Sequence, residues 1–197
     1  MYPSMSIDGY WSSRRQYPFF PLRQGVNQSR KNVILVAPTL GPRSQTGNLT
    51  SPGGLDAYLD QVLLALIEHG PYRTARQSPT VGNIILACHS GGGYPMRQLA
   101  MSWQRYSSNI RECWGFDCLY DEDDETLWAD WASSRPDARL YIYYLRDTAE
   151  RSIKLQRQQV PNVSVERSSA RGLRAHYWVP ITHWRYRIQK ANFLIYR

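Results

Sequence analysis

The chain has 197 residues, 42% of them hydrophobic, and a formal net charge of +8 at pH 7. This length suits one domain better than two, and the composition is that of a globular protein rather than a disordered one. No apolar run reaches the ~20 residues of a membrane helix. Residues 1–10 lack the charged-then-apolar order of a signal peptide, so we expect a cytoplasmic protein without a membrane span.

Cysteine usage and the pattern of basic residues argue against several kinds of site. Cys88, Cys113 and Cys118 are an odd set that forms no disulfide framework. No Cys/His spacing matches a zinc site, so we expect neither a metal nor a cofactor. The basic residues are mostly scattered arginines without a Lys/Arg block or an RNA-binding signature, so we expect no nucleic-acid partner. Nothing in the sequence indicates an oligomeric state.

The first part of the chain is predicted to form an arm, a strand and a helix. Residues 1–31 contain several prolines, which remove ladder donors, and we expect an irregular N-terminal arm there. A single α/β domain is predicted over 32–197. Its first strand is predicted at Asn32–Ala37, before Pro38. Apolar residues at three- and four-residue steps then predict an amphipathic helix over Gly54–His69.

The centre of the chain carries the pattern that organises the rest. Asn83–Ala87 is a short apolar run typical of a strand buried on both faces. It is followed by Cys88-His-Ser-Gly-Gly92, and a helix is predicted from Met96. A strand, a glycine-rich turn around a serine, and a helix are the context of a nucleophile elbow. In such a turn the serine, here Ser90, has a strained backbone, and the residues two positions away on either side must be small.

Strands and helices alternate through the remainder of the chain. The predicted strands are Ile110–Asp117, Arg139–Leu145 and Asn162–Glu166; the predicted helices are Thr126–Ser133, a helix from Asp147 or Thr148 to Gln159, and a C-terminal helix from Val179 or Pro180. This alternation predicts an α/β fold with a mostly parallel sheet of about five to six strands and helices on both faces. Ligands in such folds bind at the carboxyl ends of strands, which points to the segments at Ala37, Ser90, Asp117 and His176.

A serine becomes a nucleophile when a base removes its proton and a carboxylate orients that base. Ser90, Asp117 and His176 are separated by whole strand–helix units, so we expect them to meet at one edge of the sheet. The Gly91 N–H would supply one donor to the oxyanion.

Two of these assignments have alternatives. His176 is favoured as the base over His183, which lies inside a predicted helix, and over His89, whose side chain should diverge from that of its neighbour Ser90. The acid is Asp117 or Asp147. Asp147 is also explained as a helix cap, whereas Asp117 lies in an apolar setting that would need a partner for its carboxylate, which favours Asp117.

The elbow and its surroundings resemble the α/β-hydrolase family. Cys88-His-Ser-Gly-Gly92 resembles the family's elbow, and Val33-Ile-Leu-Val-Ala-Pro-Thr-Leu-Gly41 resembles the strand and loop that lead towards it. The segments 113–120 and 176–180 resemble bacterial members. The resemblance covers Asn32 to the C-terminus and implies a Ser, acid, His order along the chain. The family also has an earlier strand whose His-Gly-type loop gives a second oxyanion N–H. Residues 1–31 do not match it. Either the N-terminal arm or Thr39-Leu40 substitutes for this loop, or the chain lacks the front strands of the fold.

These observations lead to one main hypothesis and two competitors. The main hypothesis is a serine hydrolase that cleaves a small carboxylic ester, or less readily an amide, through an acyl-enzyme. The alternative is a hydrolase-fold binding or scaffold protein with weak or no activity, which the unmatched front strand motivates. A phosphate cradle at Ser90–Gly93 is a weak third reading, because GxxxxGK[ST] and GxGxxG are both absent there. The acidic run Asp121–Glu125 is expected to be solvated rather than to bind a cation.

Overall fold

The computed structural model of the protein describes residues 22–38, 40, 45–70 and 72–194. These residues form an α/β structure around a four-stranded parallel sheet with the strand order β1-β2-β3-β4. The strands are β1 (Ile84–His89), β2 (Ile110–Phe116), β3 (Arg139–Tyr144) and β4 (Val163–Arg167). The helices are α1 (Leu22–Ser29), α2 (Gly54–Glu68), α3 (Gly93–Met101), α4 (Asp124–Ser134), α5 (Ala149–Arg157) and α6 (Ala175–Lys190). No described helix combines the length and apolar character needed to cross a bilayer.

Helices cover both faces of the sheet, because alternate side chains of a strand point to opposite faces. One core contains Cys113, Leu140 and Ile142 from the strands, packed against buried residues of α2 to α5. The other core contains Trp114, Phe116 and Tyr143, packed against α1 and α6. The predicted α/β architecture is therefore confirmed at this level.

The connections explain which helix lies where. Consecutive parallel strands are neighbours, and right-handed crossovers place α3, α4 and α5 on one face of the sheet. After β4 the chain crosses to the other face and runs back along it as α6. The beginning of α6 consequently lies near the carboxyl ends of the strands, where the sequence predicts a site.

The predicted strand at Asn32–Ala37 is wrong. Lys31, just before this segment, forms a single bridge, but the segment itself belongs to no strand of the described sheet. Its side chains alternate, because Val33 and Leu35 pack against the second core while Ile34 and Val36 are exposed. The segment is apolar because it covers one side of a core, not because it pairs inside a sheet. The described sheet therefore has four strands rather than five or six.

The elements around the elbow differ from the prediction in two ways. β1 is half-buried rather than buried on both faces, because it pairs with a single strand, β2, in the described sheet. The helix after the elbow begins at Gly93 rather than Met96, directly after a 3-10 turn at Ser90–Gly92. A side chain at Gly93 would meet the Cys118 carbonyl oxygen at 2.1 Å, so glycine is required where this helix begins.

The N-terminal arm was predicted over 1–31, and its residues 1–21 lie outside the described residues. Leu22–Ser29, in the same predicted arm, forms a helix. Its close approach to α6 depends on Gly25, because a Cβ there would lie 2.6 Å from the Trp184 ring. An irregular structure was expected from the prolines, but none of them lies within this helix.

The C-terminal helix also begins earlier than predicted. It starts at Ala175, so Pro180 lies inside it and His176 lies in its first turn rather than in a loop. In contrast, the predicted strands and helices between Ile110 and Glu166 agree with the structure to within two residues at each end.

Candidate active site

Ser90 occupies the strained turn that the elbow pattern predicts. It directly follows β1 and has a φ of +56°, a left-handed conformation that costs a non-glycine residue roughly 1–2 kcal/mol. A side chain at Gly92 would meet the Cys88 Cβ at 3.2 Å, so the two positions flanking the serine approach each other closely. The turn thus needs small residues at both positions, and Cys88 and Gly92 meet that need.

Asp117 lies in a second left-handed turn, one strand further along the sheet. It directly follows β2, has a φ of +52°, and its N–H donates to the Tyr143 carbonyl at 2.6 Å. Because β1 and β2 are parallel and adjacent, with His89 opposite Phe116, the two turns lie side by side at the carboxyl edge. The structure therefore places Ser90 and Asp117 in neighbouring turns.

The Asp117 carboxylate is buried and fully engaged. Its Oδ2 accepts a hydrogen bond from His176 Nδ1 at 2.6 Å. Its Oδ1 accepts bonds from the Leu145 N–H at 2.9 Å and from the Thr148 hydroxyl. Burial by itself would raise the pKa of Asp117, but these hydrogen bonds outweigh it and lower the pKa below its ordinary value. The carboxylate is consequently ionised at neutral pH, and it has the partners that an apolar setting requires.

Asp147, the alternative acid, lies apart from this pairing. It is exposed on the 3-10 turn Arg146–Thr148, just before α5. The N-cap of that helix is Thr148, which makes no side-chain capping bond and instead donates its hydroxyl to Asp117. Of the two candidate acids, Asp117 is the one that is hydrogen-bonded to the imidazole of His176.

His176 lies in the first turn of α6, with its side chain 30% exposed. Because a carboxylate only accepts hydrogen bonds, Nδ1 carries the hydrogen in the bond to Asp117. In the neutral ring, Nε2 is then the basic nitrogen. The ring centroid lies 4.4 Å from that of His89, the residue directly before Ser90. No hydrogen bond between His176 and Ser90 is among those that the structure shows for the described residues, so their pairing stays a prediction.

His89 makes contacts suited to a supporting role. Its Nε2 donates to the His176 carbonyl oxygen at 3.0 Å. Burial first, and then repulsion from His176, lower the pKa of His89 to about 4. The ring is therefore neutral at physiological pH, and its Nε2 hydrogen is committed to a backbone carbonyl.

Tyr120 is a site residue that the sequence analysis missed. Burial, followed by the Asp117 charge, raises the pKa of its phenol, and the nearby Ser90 side chain lowers it. The ring is 47% exposed, although Leu119 beside it is buried in the core. Asp121, on its other side, is bound by Arg97 of α3 at 3.0 Å. The signal in the sequence was position alone: Tyr120 lies three residues after Asp117.

The remaining histidines lie elsewhere. His183 is buried in the second core, where it stacks on Tyr143 at 4.0 Å and its Nε2 bonds to the Ser168 hydroxyl at 2.9 Å. His69 follows the last residue of α2 and contacts Glu68. Neither is bonded to Asp117.

The predicted oxyanion donors are only partly described. Gly91 is exposed in the Ser90–Gly92 turn, and no described atom lies within 4 Å of a Cβ placed on it. Thr39 lies outside the described residues. Leu40 is described and half-buried, and its part in the site stays a prediction.

The acidic run Asp121–Glu125 is only partly solvated, which differs from the expectation that all of it is solvated. Asp124 is buried, and the guanidinium of Arg97 binds both Asp121 and Asp124. The guanidinium of this α3 side chain therefore neutralises part of the negative charge of the run. Within the described part of the chain, no group of three or more His, Cys, Asp or Glu side chains is arranged to hold a metal ion.

Comparison of the chain with protein-family models, with curated proteins and with solved structures finds no match. The function is therefore inferred from the geometry of the site.

Proposed function

We propose that the protein is a serine hydrolase that cleaves a carboxylic ester through an acyl-enzyme. One observation carries the proposal. At the edge of a parallel sheet, a serine in a strained turn adjoins a buried aspartate that is hydrogen-bonded to a histidine. Strain of this kind persists at functional sites because the surrounding structure imposes it. Together with the order Ser90, Asp117, His176 along the chain, this arrangement supports an α/β-hydrolase-like fold.

The proposed reaction assigns one role to each of the three residues. Asp117 accepts a hydrogen bond from the Nδ1–H of His176 and keeps the imidazole in the tautomer whose Nε2 is basic. His176 Nε2 takes the Ser90 proton while the serine Oγ attacks the ester carbonyl carbon. His176 then returns that proton to the departing alcohol. Water, deprotonated by His176, attacks the acyl-enzyme and releases the carboxylic acid and free Ser90.

Two donors are proposed for the oxyanion. The Gly91 N–H follows the nucleophile in the chain, which is where the elbow motif places a donor. The Tyr120 phenol is proposed as the second donor, because the effect of the Ser90 side chain on its pKa indicates that the two side chains are near each other. Because its pKa is raised, the phenol keeps its hydrogen across the working pH range and can donate it. Thr39 and Leu40 remain predicted donors for the same position.

The substrate is proposed to be a small-molecule ester. The proposed reaction uses only side chains and backbone groups of this chain. A cytoplasmic location and the lack of a nucleic-acid partner stay predictions from the sequence. The scaffold alternative has no reactive serine, so it predicts neither labelling by a serine-directed reagent nor ester hydrolysis.

Fluorophosphonate labelling tests the proposal. The folded wild-type protein should be modified at Ser90, as located by peptide mass spectrometry, and should hydrolyse p-nitrophenyl acetate or butyrate. Ser90→Ala should lose both properties, with a fall in kcat on the order of 10⁴-fold or more. Ser133→Ala, which changes an exposed helical serine, should retain both. A folded wild-type protein that stays unlabelled and inactive on these esters would reject the hydrolase and favour the scaffold.

A further inference from the structure

Pro180 removes the helical hydrogen bond that the backbone carbonyl of His176, the proposed base, would otherwise accept. In an α-helix the carbonyl of His176 would accept the N–H of the residue four positions later. That residue is Pro180, which has no N–H and lies inside the helix. The helix therefore cannot supply this donor to the His176 carbonyl.

His89 supplies a donor to the same carbonyl. Its Nε2 lies 3.0 Å from the His176 oxygen, and because a carbonyl only accepts, the nitrogen must carry the hydrogen. The two imidazole rings are also in contact, with centroids 4.4 Å apart. One side chain thus holds both the backbone and the ring of His176.

This contact joins the three parts of the proposed site. His89 is the last residue of β1 and the neighbour of Ser90, whereas His176 lies in the first turn of a helix on the other face of the sheet. First turns have few helical hydrogen bonds, and Pro180 removes one more. Asp117 fixes the Nδ1 end of the His176 ring, so a second contact is needed to fix the backbone that carries the ring.

We propose that His89 is a positioning residue: it replaces the helical hydrogen bond that Pro180 removes, and so holds His176 in line with Ser90. This inference rests on the proposed function and concerns the same site. It explains why a half-buried imidazole directly precedes the serine, and why α6 tolerates a proline four residues after the base.

A double-mutant cycle tests the inference. His89→Phe keeps a ring beside His176 but removes the donor, and it should lower kcat for p-nitrophenyl acetate about 10- to 100-fold with little change in KM. Pro180→Ala restores an N–H at the position that faces the His176 carbonyl within the helix. In the Pro180→Ala background, His89→Phe should cost at most a third of its effect in the wild type, because the helix then provides the donor.

Two further variants separate positioning from packing. His89→Gln carries an N–H near the position of Nε2, and it should recover much of the kcat that His89→Phe loses. His183→Phe removes a buried, stacked imidazole from the second core and should leave kcat within about twofold of the wild type. Circular dichroism and the thermal midpoint confirm that each variant is folded; if His89→Phe is not, the comparison of His89→Gln with its Pro180→Ala double variant replaces it.

The possible failures are distinct. If the wild type is neither labelled nor active, the proposed hydrolase itself is rejected. If the wild type is active and the loss caused by His89→Phe is the same with proline or alanine at position 180, the positioning role is overturned and the contact is packing. Full activity of a folded His89→Phe overturns it as well.

Discussion

Two pairs of turns in this protein share one backbone conformation but have different causes. Ser90 and Asp117, which follow strands, have φ values of +56° and +52°, and Arg30 and Gln159, which follow helices, have +55° and +52°. A left-handed residue after a helix is common, because it satisfies the last carbonyls. Nothing comparable explains a left-handed residue after a strand, and both strand-end turns carry residues of the candidate site.

The side chains at these turns reflect the same difference. At the strand ends the residues are a serine and an aspartate. The Ser90 side chain affects the pKa of Tyr120, and the Asp117 carboxylate accepts a hydrogen bond from His176. At the helix ends the residues are an exposed arginine and an exposed glutamine. Relieving the strain should therefore stabilise the protein at either kind of turn, but it should cost activity only at the strand ends.

The largest effect expected from this comparison is at Asp117. Asp117→Asn removes the charge that orients His176 and should lower kcat for p-nitrophenyl acetate by about 10³- to 10⁴-fold. Asp147→Asn changes an exposed carboxylate nearby and should stay within about twofold of the wild type. Equal losses in the two variants would contradict the assignment of Asp117 as the acid.

The second expected effect concerns two imidazoles, that of the half-buried His89 beside the Ser90 turn and that of the buried His183 in the second core. The pKa values of His89 and His183 are lowered from 6.5 to about 4. Between these pH values the unfolded state binds more protons, so stability is full above pH 6.5 and is lost as the pH falls towards 4, by at most about 3 kcal/mol per imidazole. Urea unfolding at pH 7 and pH 4.5 measures the loss.

His183→Gln isolates one of these contributions. It removes an imidazole whose proton uptake is disfavoured by burial, so the stability lost between pH 7 and pH 4.5 should shrink by roughly half. An unchanged loss would mean that carboxylates, rather than these histidines, produce the acid sensitivity.

A smaller effect is expected at Tyr120, which lies three residues after Asp117 in the chain. Tyr120→Phe should lower kcat about 10- to 100-fold and weaken the binding of a trifluoromethyl ketone, a tetrahedral analogue, by a similar factor. Tyr94→Phe alters another exposed tyrosine in the first turn of α3 and should change neither quantity. A Tyr120→Phe variant with wild-type kcat would remove the phenol from the proposed oxyanion site.

The smallest effect is expected at the helix end. Gln159→Gly removes the left-handed strain after α5 and should stabilise the protein by about 0.5–1 kcal/mol, as measured by urea unfolding. Labelling by the fluorophosphonate should not change. Ser90→Gly relieves the same kind of strain but should abolish labelling, and a variant that kept labelling would show that another residue is the nucleophile.

The sequence predicted best where local patterns are strong. The strands and helices from Ile110 to Glu166 agree closely with the structure, because their apolar spacing matches the period of each element. It failed at Asn32–Ala37, where the apolar run covers a core without joining the sheet. The predicted start of α6 is also wrong. Proline is typical of the first turn of a helix, but α6 begins at Ala175, five positions before Pro180.

The sequence by itself determined the alternation of strands and helices, the strained serine turn, and a short set of acids and histidines. Only the tertiary structure joined His176 to Asp117, which the sequence had favoured over Asp147, and only there do His89 and Tyr120 join the cluster. The reason is physical. These bonds connect residues 59 and 87 positions apart, so they depend on which strand ends lie side by side, whereas periodicity and turn chemistry act over a few residues.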